Sequence, residues 1–248
     1  MAKRTNPDPG SGHSARARLR EGATPADIRL LRRSVFGATA PDAVERLARQ
    51  GAVEPHRRAQ VLHYQGDGAD KLYLVLAGRV RVSRVGSDGR EVVMAHRTAG
   101  SIVGEWGVLG HPAQRETAEV AEDARLLVVP TGAAMPLFTQ DPKLARALLE
   151  LTATRRLDAE ARLEALQLRT VRSRLAEFVV DGAKRDGHAE PRGTVIRSRY
   201  THLEIAQTVG ATRETVTLTL AEMKRKGILL IERRRLVVRD VARLQSLI

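Results

Sequence analysis

The 248-residue sequence predicts an α+β protein built from an N-terminal β-roll of jelly-roll type, one long helix and a C-terminal winged helix-turn-helix. Three observations predict this fold class. Between residues 59 and 130, apolar residues recur with the period of two that is typical of strands. Residues 143–168 contain regularly placed leucines and no helix breaker. Residues 200–226 hold two short runs with helical spacing, interrupted by Gly210.

Residues 200–226 predict two helices joined by a tight turn. The apolar faces of the two helices are Ile205, Ala206 and Val209 in the first, and Val216, Leu220 and Met223 in the second. Thr201 followed by Glu204 is a capping-box pattern, and Thr212 is a typical N-cap for the second helix. Gly210 can adopt the positive φ that such a turn requires. Although this could be a plain helical hairpin, the arrangement is also that of a helix-turn-helix, whose second helix enters the DNA major groove.

The charge of the C-terminal region favours a nucleic-acid partner. Of the net charge of +13, residues 1–33 contribute +5, residues 34–168 contribute 0 and residues 169–248 contribute +8. Beyond Gly227, apolar and basic residues alternate in ILLIERRRLVVRD, which predicts a two-stranded wing with a basic tip. The candidate DNA-contacting residues are Thr212, Arg213, Glu214, Thr217 and Leu218 in the second helix, and Arg233, Arg234 and Arg235 in the wing.

The remaining segments divide the chain into four expected parts. Residues 1–22, rich in Pro, Gly, Ser and Arg, predict a disordered basic tail. We expect the β-roll over residues 23–140, a dimerisation helix over 141–168 and the winged helix-turn-helix over 169–248. Shorter predictions are helices over 27–36, 42–50 and 171–184, strands in AQVLHYQ, LYLVLAGRVRVSRV, REVVMAHR, ARLLVVP and TVIRS, and a loop over DGAKRDGHAEPRG.

The long helix predicts self-association. Leu144, Leu148 and Leu151 are spaced as on a coiled-coil seam, which loosens through Leu157, Leu163 and Leu166. A second copy in parallel orientation would cover this stripe; packing against the chain's own β-roll is the alternative. Helix-turn-helix proteins commonly read two half-sites about 34–36 Å apart, which favours a homodimer.

Composition excludes several classes of site. Because the chain has no cysteine, disulfides, thiolate metal sites and cysteine-held iron–sulfur clusters are excluded. No apolar run approaches the roughly 20 residues that span a bilayer, and no hydrophobic segment follows the basic N-terminus, so we expect a cytoplasmic protein. We find no nucleophile–base constellation, phosphate-binding loop or metal-ligand cluster, so we expect neither an enzyme nor a metal site.

The order of helices, β-roll, long helix and winged helix-turn-helix resembles the CRP/FNR superfamily of bacterial transcription regulators over roughly residues 25–248. The motifs that carry the resemblance are GDGADKLYLVLAGRVRV, GEWGVLG and LEIAQTVGATRETV. The resemblance implies a homodimer that senses a signal, often a cyclic nucleotide, through its rolls and binds palindromic promoter sites. It implies double-stranded DNA, a second copy and RNA polymerase as partners, and no membrane.

The same resemblance implies a phosphate cassette, with departures. Gly104, Glu105 and Arg115 match the family's spacing, but the next residue is Glu116 and the hydroxyl follows one position late at Thr117. A carboxylate beside a phosphate repels it, and the long-helix segment 159–161 offers no hydroxyl to an adenine ring. A cyclic nucleotide is therefore a doubtful cofactor. A haem would need an axial ligand such as His63, His96 or His111, although a lone histidine is usually structural.

In the second helix of the helix-turn-helix, Arg213 and Glu214 match the family's base-reading pair. Arg suits guanine and Glu suits cytosine. Leu218 replaces a further arginine, which predicts a different half-site sequence. Two alternatives stay open: a regulator without any small ligand, and a cyclic-nucleotide-binding signalling module whose C-terminal domain contacts protein.

Overall fold

The computed structural model describes residues 22–34, 36, 41–89, 91–232 and 235–248. The predicted basic tail, apart from its last residue, lies outside the described residues, as do wing residues Arg233 and Arg234. Within the described ranges the fold is α+β, as predicted: a β-roll, a long helix and a helical domain with a small sheet. No helix in these ranges is long and apolar enough to cross a membrane.

Over the described residues, the N-terminal lobe is a six-stranded antiparallel roll with two helices before it. The helices are α1 (Pro25–Arg32) and α2 (Pro41–Arg49), and the strands are β1 (Ala52–His56), β2 (Val61–His63), β3 (Lys71–Val85), β4 (Glu91–Thr98), β5 (Ile102–Val103) and β6 (Thr117–Pro130). The main path runs β1-β6-β3-β4, with β2 on β6 and β5 on β3. The sequence did not predict β1 or β5, which are short, and it began β6 too late.

Alternating residues of β3 divide the roll into two cores. Leu72, Leu74 and Leu76 pack with the helices on the outside of the sheet. Tyr73 and Val75 lie in a second cluster that fills the interior of the roll. Because successive strand residues point to opposite faces, a strand apolar at nearly every position is covered on both sides.

Two helices follow the roll: α3 (Thr131–Gln140), which the sequence did not predict, and α4 (Pro142–Leu168). Asp141 caps α4 by accepting hydrogen bonds from the amides of residues 143 and 144. The sequence predicted that the first leucines of α4 form a coiled-coil seam with a second copy, and the structure corrects this prediction. Leu144 and Leu148 are buried in the core of the chain's own β-roll, with Leu151 packed against it. The leucines left exposed are Leu149, Leu157, Leu163, Leu166 and Leu168.

The C-terminal domain combines four helices with a four-stranded sheet. Its elements are α5 (Val171–Asp186), β7 (Gly187–Glu190), β8 (Gly193–Ile196), α6 (His202–Val209), α7 (Arg213–Arg225), β9 (Leu229–Glu232), β10 (Arg235–Val238) and α8 (Val241–Gln245). The sheet order is β7-β8-β10-β9. The predicted loop over 181–193 is wrong, since α5 continues to Asp186 and β7 pairs with β8.

Candidate nucleic-acid interface and cassette cluster

The helix-turn-helix is formed by α6 and α7, and its local signals act as predicted. Thr201 caps α6 with both bonds of a capping box to Glu204. Gly210 ends α6 in the left-handed conformation, with φ +65°. The hydroxyl of Thr212 accepts a hydrogen bond from the amide of Thr215 and thereby caps α7. The turn is therefore set by backbone chemistry that the sequence encodes locally.

The second helix, α7, presents a polar face to solvent. Val216, Leu220 and Met223 are buried in the domain core. On the opposite side, Arg213, Glu214, Thr217 and Leu218 are exposed, and Leu218 is 72% exposed. The hydroxyl of Thr217 donates to the carbonyl of Arg213 at 2.8 Å and lies 2.8 Å from His202 Nδ1. The predicted base-facing residues thus share one accessible surface.

Three arginine contacts hold this helix pair in the domain. Nη2 of Arg172 in α5 donates to both carboxylate oxygens of Glu222 in α7, at 2.9 and 2.8 Å. Arg174 donates to the carbonyls of Val209 at 2.8 Å and Gly210 at 3.1 Å, which are open acceptors at the end of α6. Hydrogen bonds from a charged guanidinium are stronger than those between neutral groups. They are internal contacts that leave the exposed face of α7 unobstructed.

The wing is the β9–β10 hairpin, in which Arg235 pairs with Glu232. Arg235 is exposed at the start of β10, whereas its two predicted partners Arg233 and Arg234 fall outside the described residues. Arg192 donates to Glu232 at 2.6 Å, so the wing is tied to the β7–β8 turn. Of the three predicted wing arginines, Arg235 is the one that lies within the described residues.

The cassette residues lie near a group of charged side chains between the roll and α4, here called the cassette cluster, which contains Glu105, Arg155, Glu116 and Arg97. Gly104 adopts φ +80°, and a Cβ there would lie 2.6 Å from the Lys71 carbonyl, so only glycine fits this turn. The Glu105 carboxylate is 5% exposed and accepts a hydrogen bond from Arg155 of α4. Arg155 also donates to the Ile102 carbonyl at 2.8 Å. The long helix thus supplies the charge partner of Glu105.

Glu116 belongs to the same cluster of charges. Burial, followed by the neighbouring Glu105 carboxylate, raises the pKa of Glu116. Arg97 of β4 lies close to the same charges; its pKa is lowered to about 10, mainly by burial and then by Arg155. An ionised carboxylate at this place opposes a bound phosphate electrostatically.

Arg115 and Thr117, the other predicted ligand residues, take no part in the contact between Glu105 and Arg155. Arg115 is exposed and its guanidinium lies 5.7 Å from the centre of the Trp106 ring. The Thr117 hydroxyl accepts a hydrogen bond from the Gln65 amide at 3.0 Å, which commits it to the strand end. Arg155 and Arg97 are the residues of the cassette cluster that sequence reasoning missed. Arg155 lies 50 positions along the chain from Glu105, and Arg97 lies in strand β4, outside the cassette motif.

The three candidate histidines contact different neighbours. His63 lies 6.0 Å from the Tyr73 ring and His111 lies 5.2 Å from the Trp106 ring, centre to centre. Burial lowers the pKa of His63 to about 4. His96 faces the C-terminal domain. Within the described ranges, no group of three or more potential ligand side chains is arranged to hold a metal ion.

Comparison with known proteins places both halves of the chain. Residues 53–141 match the model of the cyclic nucleotide-binding domain, and residues 142–247 match the Crp-like helix-turn-helix domain. The chain is 30% identical to the global nitrogen regulator of Synechococcus elongatus over 75% of this chain and 85% of that protein. It is 26% identical to a CRP-like cAMP-activated global transcriptional regulator of Mycobacterium tuberculosis, over 87% and 96%.

A solved structure agrees with these sequence matches. The structure of FixK2 from Bradyrhizobium japonicum superimposes with a TM-score of 0.71 at 26% identity, covering 79% of this chain and 96% of that one. The chain therefore belongs to the CRP/FNR family and is a sequence-specific DNA-binding transcription regulator, of the kind that acts as a homodimer on palindromic promoter sites.

Proposed function

We propose that this regulator reads its promoter through the first two turns of α7. In this proposal Arg213 and Glu214 contact base edges, Thr212 and Thr217 lie beside them, and Leu218 contacts a thymine methyl group. The observation that carries it is the division of α7 into a buried apolar side and an exposed side made of these residues. Arg235, with Arg233 and Arg234, contacts phosphates from the wing.

Selection of bound sequences from random double-stranded DNA tests this reading. We expect enrichment of a palindrome whose half-site centres lie about 34–36 Å apart, one helical turn of DNA. The half-site should differ from that of cyclic-AMP-type regulators at the position facing Leu218. If no sequence were enriched while the protein was folded and dimeric, the C-terminal domain would be assigned a protein partner instead.

We further propose that the β-roll works without cyclic AMP. Three features support this: the Arg155–Glu105 ion pair already occupies the cassette, Glu116 lies beside it, and residues 159–161 of α4 carry no hydroxyl. A phosphate would have to displace Arg155 from Glu105, or pair with Arg155 while the Glu105 and Glu116 carboxylates stay close by. The roll then senses another ligand or serves as a structural domain.

Titration calorimetry with cyclic AMP, run on the wild type and on Arg115→Ala, tests this second proposal. We expect no binding at micromolar nucleotide in either protein. A Glu116→Ser variant is the informative control, because it restores a hydroxyl and removes the opposing charge. Tight wild-type binding that disappears in Arg115→Ala would refute the proposal.

The division of labour that we propose assigns sensing to residues 23–140, dimerisation to 141–168 and DNA binding to 169–248. RNA polymerase is the expected further partner and the cytoplasm the expected location. The charge of +8 on residues 169–248 supports DNA rather than an enzymatic substrate as the ligand of that domain.

A further inference from the structure

Arg79 of β3 is buried between the two domains of the chain. Its side chain is 1% exposed, and hydrogen bonds from the guanidinium offset the cost of burying its charge. It donates to the Arg199 carbonyl at 2.7 Å, 120 residues further along the chain, and to Glu122 Oε1 at 3.2 Å. Its guanidinium carbon also lies 4.2 Å from the centre of the Tyr200 ring. Arg79, a residue of the roll, therefore makes its shortest hydrogen bond to a backbone carbonyl of the DNA-binding domain.

A polar chain extends from Arg79 into the helix-turn-helix. Nη1 of Arg79 lies 3.1 Å from His96 Nδ1. Since a guanidinium only donates, His96 Nδ1 is the acceptor and its proton is assigned to Nε2. That nitrogen lies 3.5 Å from the Thr208 hydroxyl of α6, which in turn donates to the Glu204 carbonyl at 2.7 Å.

The interdomain contact around Arg79 also includes the residues just before α6. Glu122 Oε1 accepts the Arg199 amide at 3.0 Å, and Tyr200, 3% exposed, immediately precedes the N-cap Thr201. The Tyr200 ring is held edge-on between His96 and Phe178, with centres 5.6 and 5.1 Å away. The residue that starts the helix-turn-helix is therefore fixed to the roll on one side and to α5 on the other.

The far end of α6 is held by the long helix. A Cβ at Gly210 would lie 2.4 Å from Leu166 Cδ2, so the turn between α6 and α7 packs directly on α4. The roll therefore contacts α6 at its beginning, through Arg199 and Tyr200, and again in its last turn, through Thr208. The long helix contacts the turn that follows, so α6 cannot rotate without breaking at least one of these contacts. The direction of α7 relative to α4 follows from these supports, none of which covers the exposed face of α7.

We propose that Arg79 is a positioning residue for DNA binding, which fixes the helix-turn-helix relative to the dimerisation helix so that two recognition helices match one half-site spacing. The proposal rests on the dimeric regulator function and concerns its geometry rather than base contacts. Its consequence is specific: loosening the cluster should weaken binding to two half-sites together much more than binding to one, because the second half-site loses effective concentration.

The experiment uses the full-length protein and the palindrome selected for the wild type. Arg79→Gln and Glu122→Ala loosen the interdomain cluster. Glu119→Ala is the matched control, because Glu119 pairs at 3.0 Å with Arg81 inside the roll and has a similar side-chain exposure, 29% against 36% for Glu122. Affinity is measured on the palindrome, on one half-site, and on palindromes whose half-sites are moved by one base pair in either direction.

For Arg79→Gln and Glu122→Ala we expect about a tenfold or greater loss on the palindrome, about twofold or less on one half-site, and a flattened spacing preference. Glu119→Ala should behave as the wild type. Equal losses on both kinds of DNA, an unchanged spacing preference, or tighter palindrome binding in folded dimeric variants would overturn the proposal. If Arg79→Gln does not fold, Glu122→Ala decides alone. Wild-type binding to the palindrome is the separate test of the regulator function.

Discussion

Replacing Leu163 with alanine tests which face of α4 joins the two copies of the dimer. Leu149 and Leu163 are two heptads apart, so they lie on one line of a supercoiled helix pair. In the single chain they are 68% and 57% exposed. Leu144 and Leu148, by contrast, belong to the core of the roll. We therefore expect the dimer seam to run through Leu149 and Leu163.

The exposure of Leu163 sets the size of the effect. Full burial of a leucine side chain stabilises by about 1.5–3 kcal/mol, so covering the 57% that is exposed is worth about 0.9–1.7 kcal/mol. A homodimer carries the substitution twice, which gives about 1.7–3.4 kcal/mol and raises the dimer dissociation constant roughly 20- to 300-fold.

Leu157→Ala is the matched control. Leu157 is similarly exposed, at 64%, but lies six residues before Leu163 and so about 120° away around the helix. Sedimentation equilibrium over a range of protein concentrations gives the dissociation constants of both variants. Near-identical values for Leu157→Ala and Leu163→Ala, or a monomeric Leu157→Ala alone, would refute this assignment of the seam.

Two further predictions concern base reading and pH. Arg213→Ala should cost about 1–3 kcal/mol on the selected site and relax preference at one base pair, whereas Arg235→Ala should weaken all DNA alike and lower the salt slope by about one unit; equal weakening of every sequence by Arg213→Ala would contradict its role. Burial, followed by Arg79, lowers the pKa of His96 from 6.5 to about 3. As pH falls below 6.5, His96 therefore becomes protonated in the unfolded chain before it does in the folded one. Its effect lowers the free energy of unfolding between pH 6.5 and pH 3, by at most about 1.4 kcal/mol per pH unit, and is absent above pH 6.5. Urea unfolding at fixed protein concentration should show a smaller pH slope for His96→Gln than for the wild type; an unchanged slope would show that His96 is not held neutral.

The helix-turn-helix could be predicted from sequence because its signals are local. The capping box at Thr201, the left-handed Gly210 and the cap at Thr212 each act within four residues of chain. The wing hairpin was predictable for the same reason, from alternation over a few residues. Short-range chemistry of this kind does not depend on the rest of the fold.

The helices and strands that the sequence did not predict lack local signals of this kind. Helix α3 contains Gly132 and Pro136 and has no side-chain cap at Pro130, so its sequence resembles a loop. Strand β1 is five residues long and includes Pro55, which demotes a strand prediction. For α4, leucines occur on several sides of the helix, and the pattern alone does not tell which side meets the roll. Tertiary packing decides that question.

Arg79 and Arg155 were not predictable, because each pairs with residues 50 or more positions away. Their neighbours nevertheless lie side by side: His96 meets the interdomain cluster, while Arg97, the next residue of β4, lies near Arg155 and Glu105. Strand β4 therefore contributes the Arg97 charge to the cassette cluster and the His96 ring to the interdomain contact at α6. The guanidinium that faces Glu105 belongs to Arg155 of the long helix. Because Arg155 lies outside the cassette motif, the motif alone does not predict this contact.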